Sequence, residues 1–484
     1  MFPVIVDYLR TLRQRQFVRP WALATPILVL LVTLPMLRPL RHPEQSAMSV
    51  NELSRLATVQ AMAEQHTQEI GHTAFYPALR SHNYRLPPDT AQLDGKTYSD
   101  KAPVLSAILA GGYIVMRWFG LSMERNQPLV VYLLTILCAV VPVASVGGMV
   151  YRMGRLFELR RPLRALLAMA VTFGSGLLSY AVVINAHAPA AALVLSAVAC
   201  LVHITVAKEP TRTGAWLMAS GWCAALAAVI DPAAIVFFAG LVLVIVALRW
   251  KKRLRFGGVI LYFVGAVPII MFHAVLSVPI TGDLLPPAFH PEMQRRDLRF
   301  PATPITDNYE EGDDEPVAPP TWLQASIQTS LRILGSLVGH RGIFSHFPVL
   351  IFGVLGIGAV LRRHWPVATK ALAAITLVGG ATIIATQPLL QRDSAPSGAF
   401  GPRWFLLFLP LLLFWGGAWM RKKHHPVIWG FAGVTLAFSI AVSLLGTTAP
   451  FLMAPGQYSP GVALHQLMNP PIVQPLERAA LASY

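Results

Sequence analysis

Two short clusters inside one polar stretch hold the residue types that handle protons and phosphates. Asn51, Glu52 and Arg55 stand in VNELSRLA; Tyr98, Asp100, Lys101 and Pro103 stand in DGKTYSDKAPVL. Ser49 is the expected N-cap of a short helix carrying Glu52, and Arg55, three residues on, shares its face. Such a pair has two readings: an ion pair on an amphipathic helix, or a carboxylate that takes an acceptor's proton while the arginine holds an anion. Spacing leaves both open. Asp100 and Lys101 directly precede an apolar run, which sets them at a membrane interface. A lysine there is a point charge suited to phosphate, and an adjacent carboxylate suits a divalent cation bridging that phosphate. The plain alternative is a lysine reaching from the membrane edge into water.

Further candidates lie at the ends of later apolar runs. His187 and Asn185, in VVINAHAPAAAL, mark a turn between two helices, where polar groups serve as caps and where histidine is also a ready metal ligand. Asp231 begins DPAA, an N-cap followed by a first-turn proline, which reads as structural. Arg403, in AFGPRWFLLFLP, opens a spanning run from the side that carries few basic residues, which points to an anionic ligand or an acidic partner. His340, Arg341 and His346 form a similar polar knot in GHRGIFSHFP.

These residues must be positioned by membrane helices. The chain has 484 residues, 55% hydrophobic and 13% charged; a soluble chain would carry about 25% charged residues, so the class is an all-α polytopic membrane protein. The net charge of +16 is gathered beside apolar runs, at 10–19, 152–164, 249–255, 362–364 and 421–425. That is the charge bias of cytoplasmic loops and argues against nucleic acid as a partner. Cys138, Cys200 and Cys223 all fall inside apolar runs, where core packing is the expectation. The first apolar run ends in Leu37, Arg38 and Pro39, without a small-residue cleavage site, and reads as a retained helix.

Runs long enough to cross begin at 21, 129, 165, 190, 214, 234, 257, 345, 368, 403 and 427. The run 102–120 is taken as a juxtamembrane helix broken by Gly111 and Gly112, because letting it cross would invert every later basic cluster. Eleven spans follow, with the N-terminus cytoplasmic and the C-terminus external. The expected organisation is a transmembrane module over 1–278 with an external loop 39–128, an external loop 279–344 rich in proline and acid, C-terminal spans over 345–447, and an external tail 448–484. Loop 279–344 has little apolar surface to bury, and its part from Trp322 to Leu337 has the spacing of a helix lying along the membrane. No internal repeat is visible.

Taken together, these residues resemble the GT-C superfamily of glycosyltransferases that use polyprenyl-phosphate sugars. The likeness is to the branch of protein O-mannosyltransferases, lipid A aminoarabinose transferases and uncharacterised bacterial relatives. In that branch the first external loop opens with an Asp-Glu pair on a short helix, matched by Asn51-Glu52, and closes with a Tyr-Ser-Asp-Lys type motif, matched by Tyr98 to Lys101 and Pro103. The next external turn carries an acid before proline in the family; the nearest match is His187-Ala188-Pro189, or Asn185. GHRGIFSHFPVL and GPRWFLLFLP look like patterns of the bacterial relatives.

The resemblance implies an inverting transfer on the external face of the plasma membrane. The family's base is the first acid of the pair; here that position is Asn51, and an amide cannot act as a base, so either Glu52 takes over, or the match slips by one, or transfer is lost; the base role is carried onto Glu52. Lys101 would hold the donor phosphate, with Arg55, Arg403 and Tyr98 beside it. Asp100 and His187 would hold a divalent metal ion. Loop 279–344 would close over the acceptor as a lid. Two other classes stay in view: a catalytically inactive scaffold that binds the lipid-linked sugar, and a transporter or flippase, for which His203 and His273 are the main ionisable residues within the spans.

Overall fold

The computed structural model describes residues 20–38, 40, 48–80, 89–206, 212–290, 293, 322–339, 342–390, 400–448 and 450. His340, Arg341, the basic cluster 10–19, about half of loop 279–344 and almost all of the tail lie outside them.

The described residues are mostly helical. The helices that position the site are α1 (Pro20–Thr33), α2 (Val50–Gln60), α3 (Pro103–Trp118), α4 (Gln127–Phe157), α5 (Arg161–Phe173), α6 (His187–Val206), α7 (Thr213–Ile230), α8 (Pro232–Trp250) and α9 (Phe256–Thr281). A two-stranded antiparallel hairpin, β1 (Thr90–Leu93) and β2 (Lys96–Ser99), stands between α2 and α3. Seven helices among the described residues are long and apolar enough to cross a membrane: α4, α6, α7, α8, α9, Val367–Thr386 and Pro426–Thr448. An eighth is formed if Thr329–His346 and Pro348–Arg362, bent by 94° at their junction, count as one span.

Eleven spans were expected, and four of the expected runs are not single long helices, for local reasons. The helices in the first and tenth runs are short, Trp21–Met36 and Leu409–Met420. The run beginning at 165 is helical only to Phe173, because Gly174-Ser175-Gly176 turns the chain. Gly176 has φ +78°, and a Cβ there would lie 2.6 Å from the Phe347 ring, so only glycine makes this turn. The residues that follow, 177–186, run through the interior as a buried loop. The expected break at Gly111-Gly112 does not occur: α3 is continuous. Each helical glycine costs about 1 kcal/mol relative to alanine, and Gly112 lets the Leu137 side chain come close.

Helix α7 packs against both α6 and α9. The α7–α9 approach is backbone to backbone: a Cβ on Gly221 would lie 2.0 Å from the Tyr262 carbonyl oxygen, and one on Gly265 would lie 2.1 Å from that of Met218. Small residues at a membrane helix interface permit this spacing, and dispersion then replaces the hydrophobic drive that lipid removes. Helices α7 and α9 each have a polar end and a basic end, and α6 opens on a polar one. His187 opens α6, Asp231 follows α7 and Ser277 lies near the end of α9, whereas Arg212 precedes α7 and Arg255 precedes α9. Within the spans, His203 packs on the Trp216 ring and His273 bonds the Leu284 carbonyl.

Candidate active site

The site is built first by α2. Ser49 caps it as the spacing predicts: its Oγ accepts from the Glu52 amide, and the Glu52 carboxylate accepts from the Ser49 amide. This reciprocal capping box satisfies two amides that a helix start leaves without partners. Glu52 is fully buried, and its partner is not Arg55 but Arg38, fourteen residues earlier. Arg38 Nη1 donates to Oε1 at 2.7 Å and Nη2 to Oε2 at 2.9 Å. Ile184 N adds a hydrogen bond to Oε1 at 3.2 Å, and Ser49 Oγ adds one to Oε2 at 3.1 Å. Glu52 therefore ties together the chain leaving α1, the start of α2 and the buried loop before α6.

Arg55 is left to face another way. Its Nε lies 3.4 Å from Asn51 Oδ1, and its buried Nη1 has no hydrogen-bond partner among the described residues. Asp100, Asp89 and Arg403 all act electrostatically on this guanidinium. A buried guanidinium with a donor unspent is expensive unless something anionic meets it.

The hairpin supplies the second wall. Lys101 follows β2, and its Nζ sits 2.8 Å from Asp89 Oδ1 and 3.0 Å from Asp100 Oδ1. Two carboxylates thus share one ammonium. Burial pushes both carboxyls up; Lys101 more than offsets this at Asp89, which is held below its ordinary value. At Asp100 burial wins, helped by the charge of Asp89, and the carboxyl stays above its ordinary value. Burial works against the Lys101 ammonium, but the two acids outweigh it and hold its pKa high. Sequence reasoning missed Asp89. It stands directly before β1 at φ +61°, and only the fold of the hairpin brings it to Lys101. Tyr98 and Lys101 line a narrow cleft with Ser277 and Thr281 of α9 and Pro287 beyond it, and Ala288 N bonds the Asp100 carbonyl at 3.1 Å.

The third wall comes from the buried loop and the ends of α6 and α7. Asn185 is consumed by structure: its Nδ2 donates to the carbonyls of Tyr180 and Val183, and its Oδ1 accepts from Ala188 N near the start of α6. His187 Nδ1 lies 2.7 Å from Asp231 Oδ2. Asp231 also caps the turn after α7 through Ala233 N at 3.2 Å, as its sequence predicts. The Trp404 ring meets His187 edge-on at 5.6 Å, and the Arg403 guanidinium lies over that same Trp404 at 5.2 Å. Arg403 is buried and feels Asp89, Asp231 and Glu52, while His187 feels Arg403 and Arg55. His346, from the later knot, bonds the Gly342 carbonyl in its own segment and packs edge-on against Phe400 from another.

No protein-family model matches the chain, and no curated protein matches it in sequence. Several solved structures are similar to it in arrangement. One is ArnT from Cupriavidus metallidurans bound to undecaprenyl phosphate, at 16% identity over 88% of this chain and 63% of that one, with a TM-score of 0.45. Another is the apo oligosaccharyltransferase of Archaeoglobus fulgidus, at 12% identity over 91% of this chain and 57% of that one, with a TM-score of 0.49. A third is AglB from the same archaeon in complex with an inhibitory peptide and a dolichol-phosphate, at 12% identity with a TM-score of 0.47, over the same shares of each chain. The chain spans less than two thirds of the length of these three.

The charged groups therefore meet from far apart in the chain: Arg38, Glu52, Arg55, Asp89, Asp100, Lys101, His187, Asp231 and Arg403 form one connected set of contacts and electrostatic couplings. The expected metal pair does not form. Asp100 is held by Lys101 and His187 by Asp231, and no group of three or more His, Cys, Asp or Glu among the described residues could hold a metal ion. The donor set does not fit a divalent cation, which takes more ligands than these two. Arg38 could have been found by the argument that picked out Arg403, since both are arginines on the side that the charge bias leaves poor in bases.

Proposed function

We propose that this chain is a membrane glycosyltransferase that takes a sugar from a polyprenyl-phosphate donor and passes it to an external lipid, glycan or protein acceptor. One observation carries the reading: two buried arginines, Arg55 and Arg403, and the half-buried Lys101, from separate parts of the chain, converge with acids and a histidine at one end of a membrane helix bundle. That end is where a lipid headgroup lies and where a sugar phosphate and an acceptor could meet at the membrane surface. It also unites the residues on which the resemblance to the GT-C superfamily rests.

In this reading Arg55 offers its unspent Nη1, and Arg403 and Lys101 add charge, so the phosphate is neutralised as the sugar leaves it. Preorganised cations of this kind stabilise charge that develops in the transition state without reorganising at that moment. Tyr98 borders the cleft beside Lys101. The transfer is an inverting displacement at the anomeric carbon. The full arrangement of eleven crossings with a cytoplasmic N-terminus, an external site, the module over 1–278 and the lid over 279–344 belongs to the same proposal. No step is routed through a metal.

A second reading, a scaffold that binds the lipid-linked sugar without transferring it, is favoured by the amide at Asn51. The experiment uses the purified chain in lipid nanodiscs with synthetic undecaprenyl-phosphate-linked hexose or pentose. Release of undecaprenyl phosphate in the presence of envelope glycolipid, followed by mass spectrometry, supports the transferase. Binding without release leaves the scaffold, and absence of both overturns the function.

A further inference from the structure

Resting on the transferase reading, we propose that His187 is the catalytic base of this chain and that Asp231 positions it. The proton acceptors available nearby can be taken one by one. Asn51 carries an amide. Glu52 has both oxygens filled, by Arg38, Ser49 and Ile184 N, and protonating it would leave the buried Arg38 facing a neutral group. Asp89 and Asp100 share the Lys101 ammonium. His187 differs from all of these.

Its Nδ1 lies 2.7 Å from a carboxylate, which only accepts, so Nδ1 carries the hydrogen and Nε2 bears the lone pair. No hydrogen bond to Nε2 exists among the described residues. The carboxylate fixes the tautomer and the ring orientation, and it stabilises the imidazolium that forms once Nε2 takes a proton. Trp404 braces the ring from the side, and Arg403, over that same indole, brings an anion-binding charge next to the base. The Trp404 ring thus touches both the base and one member of the phosphate clamp.

The step balances. The acceptor oxygen forms its bond to the anomeric carbon while its proton passes to His187 Nε2. The bond from that carbon to the phosphate oxygen breaks, and its electron pair leaves with the lipid phosphate. The imidazolium then returns its proton to solvent.

The test measures the pH dependence of undecaprenyl phosphate release by the unchanged chain in nanodiscs, with the synthetic donor and envelope glycolipid, together with His187→Gln and Asp231→Asn. General-base catalysis contributes about 10²- to 10⁴-fold, so His187→Gln should lower kcat by at least about 100-fold while its binding of undecaprenyl phosphate is retained. The unchanged chain should lose rate on acidification with a single proton taken up, and Asp231→Asn should lower kcat more than it raises KM and displace that acidic limb. Should His187→Gln fail to fold, a folded Asp231→Asn that keeps the kcat and the acidic limb of the unchanged chain overturns the dyad. So does a folded His187→Gln that transfers at the original rate. An unchanged chain that binds the donor but never releases undecaprenyl phosphate overturns the transferase reading instead.

Discussion

Arg38 and Glu52 meet through two parallel hydrogen bonds in a site where the carboxylate is fully buried and the guanidinium nearly so. Removing one member of such a pair strands the other's charge, which costs about 3–5 kcal/mol, whereas replacing both with apolar residues of similar size is far milder. Glu52→Leu and Arg38→Met should therefore each lower the melting temperature sharply. The double variant Arg38→Met with Glu52→Leu should recover much of the loss. Thermal unfolding of the four proteins in one detergent closes the cycle.

Lys101 holds two acids apart by sitting between them. Its raised pKa means that its contribution is fully present below the ordinary lysine value of about 10.4 and is lost only as pH rises through the folded value. Asp89, held low, contributes above the ordinary carboxylate value of about 3.9, and this is lost as pH falls through its folded pKa. Between about pH 5 and 8 neither the Lys101 ammonium nor the Asp89 carboxylate therefore changes its charge. In Lys101→Met the two carboxylates repel and their pKa values climb. The melting-temperature deficit of Lys101→Met against the unchanged chain should be largest at neutral pH and shrink toward pH 5; a deficit independent of pH contradicts this.

Arg55 offers the buried donor that nothing in the described chain uses. A hydrogen bond to a charged partner contributes about 1.5–3 kcal/mol, or about 10- to 100-fold in affinity. Arg55→Met should weaken undecaprenyl phosphate binding by that factor, and Arg55→Lys should restore only part of it, since lysine lacks the planar fork. Binding titrations by native mass spectrometry read the difference.

Gly221 and Gly265 let α7 and α9 touch through their backbones. Alanine at either position forces the helices apart, because the opposing atom is a carbonyl oxygen with no rotamer to change. Overpacking of this kind costs about 1–3 kcal/mol. Gly221→Ala and Gly265→Ala should both lower the melting temperature, whereas Gly430→Ala, which meets open space, should not.

The sequence shows the local devices of this site and conceals the long-range ones. Ser49 as a cap, Asp231 before its proline, and Asp100-Lys101 at the foot of an apolar helix are legible because each depends on neighbours within a turn. The partnership of Glu52 with Arg38 is not, for it needs the chain to come back over fourteen residues, most of them outside the described set. Asp89 reaches Lys101 only once the hairpin has closed. The run beginning at 165 reads as a span by composition alone; what stops it is Gly174-Ser175-Gly176 against Phe347, a tertiary contact that hydropathy does not encode.

The formal charges of the cluster cancel: Arg38, Arg55, Lys101 and Arg403 stand against Glu52, Asp89, Asp100 and Asp231. A visiting phosphate thus tips the ledger to the negative side, and Asp100, whose carboxyl burial already holds high, is the group disposed to correct it by picking up hydrogen ion. Headgroup capture and proton uptake become one thermodynamic event, so acidification should tighten the grip on the lipid even as it slows whatever chemistry depends on an unprotonated imidazole.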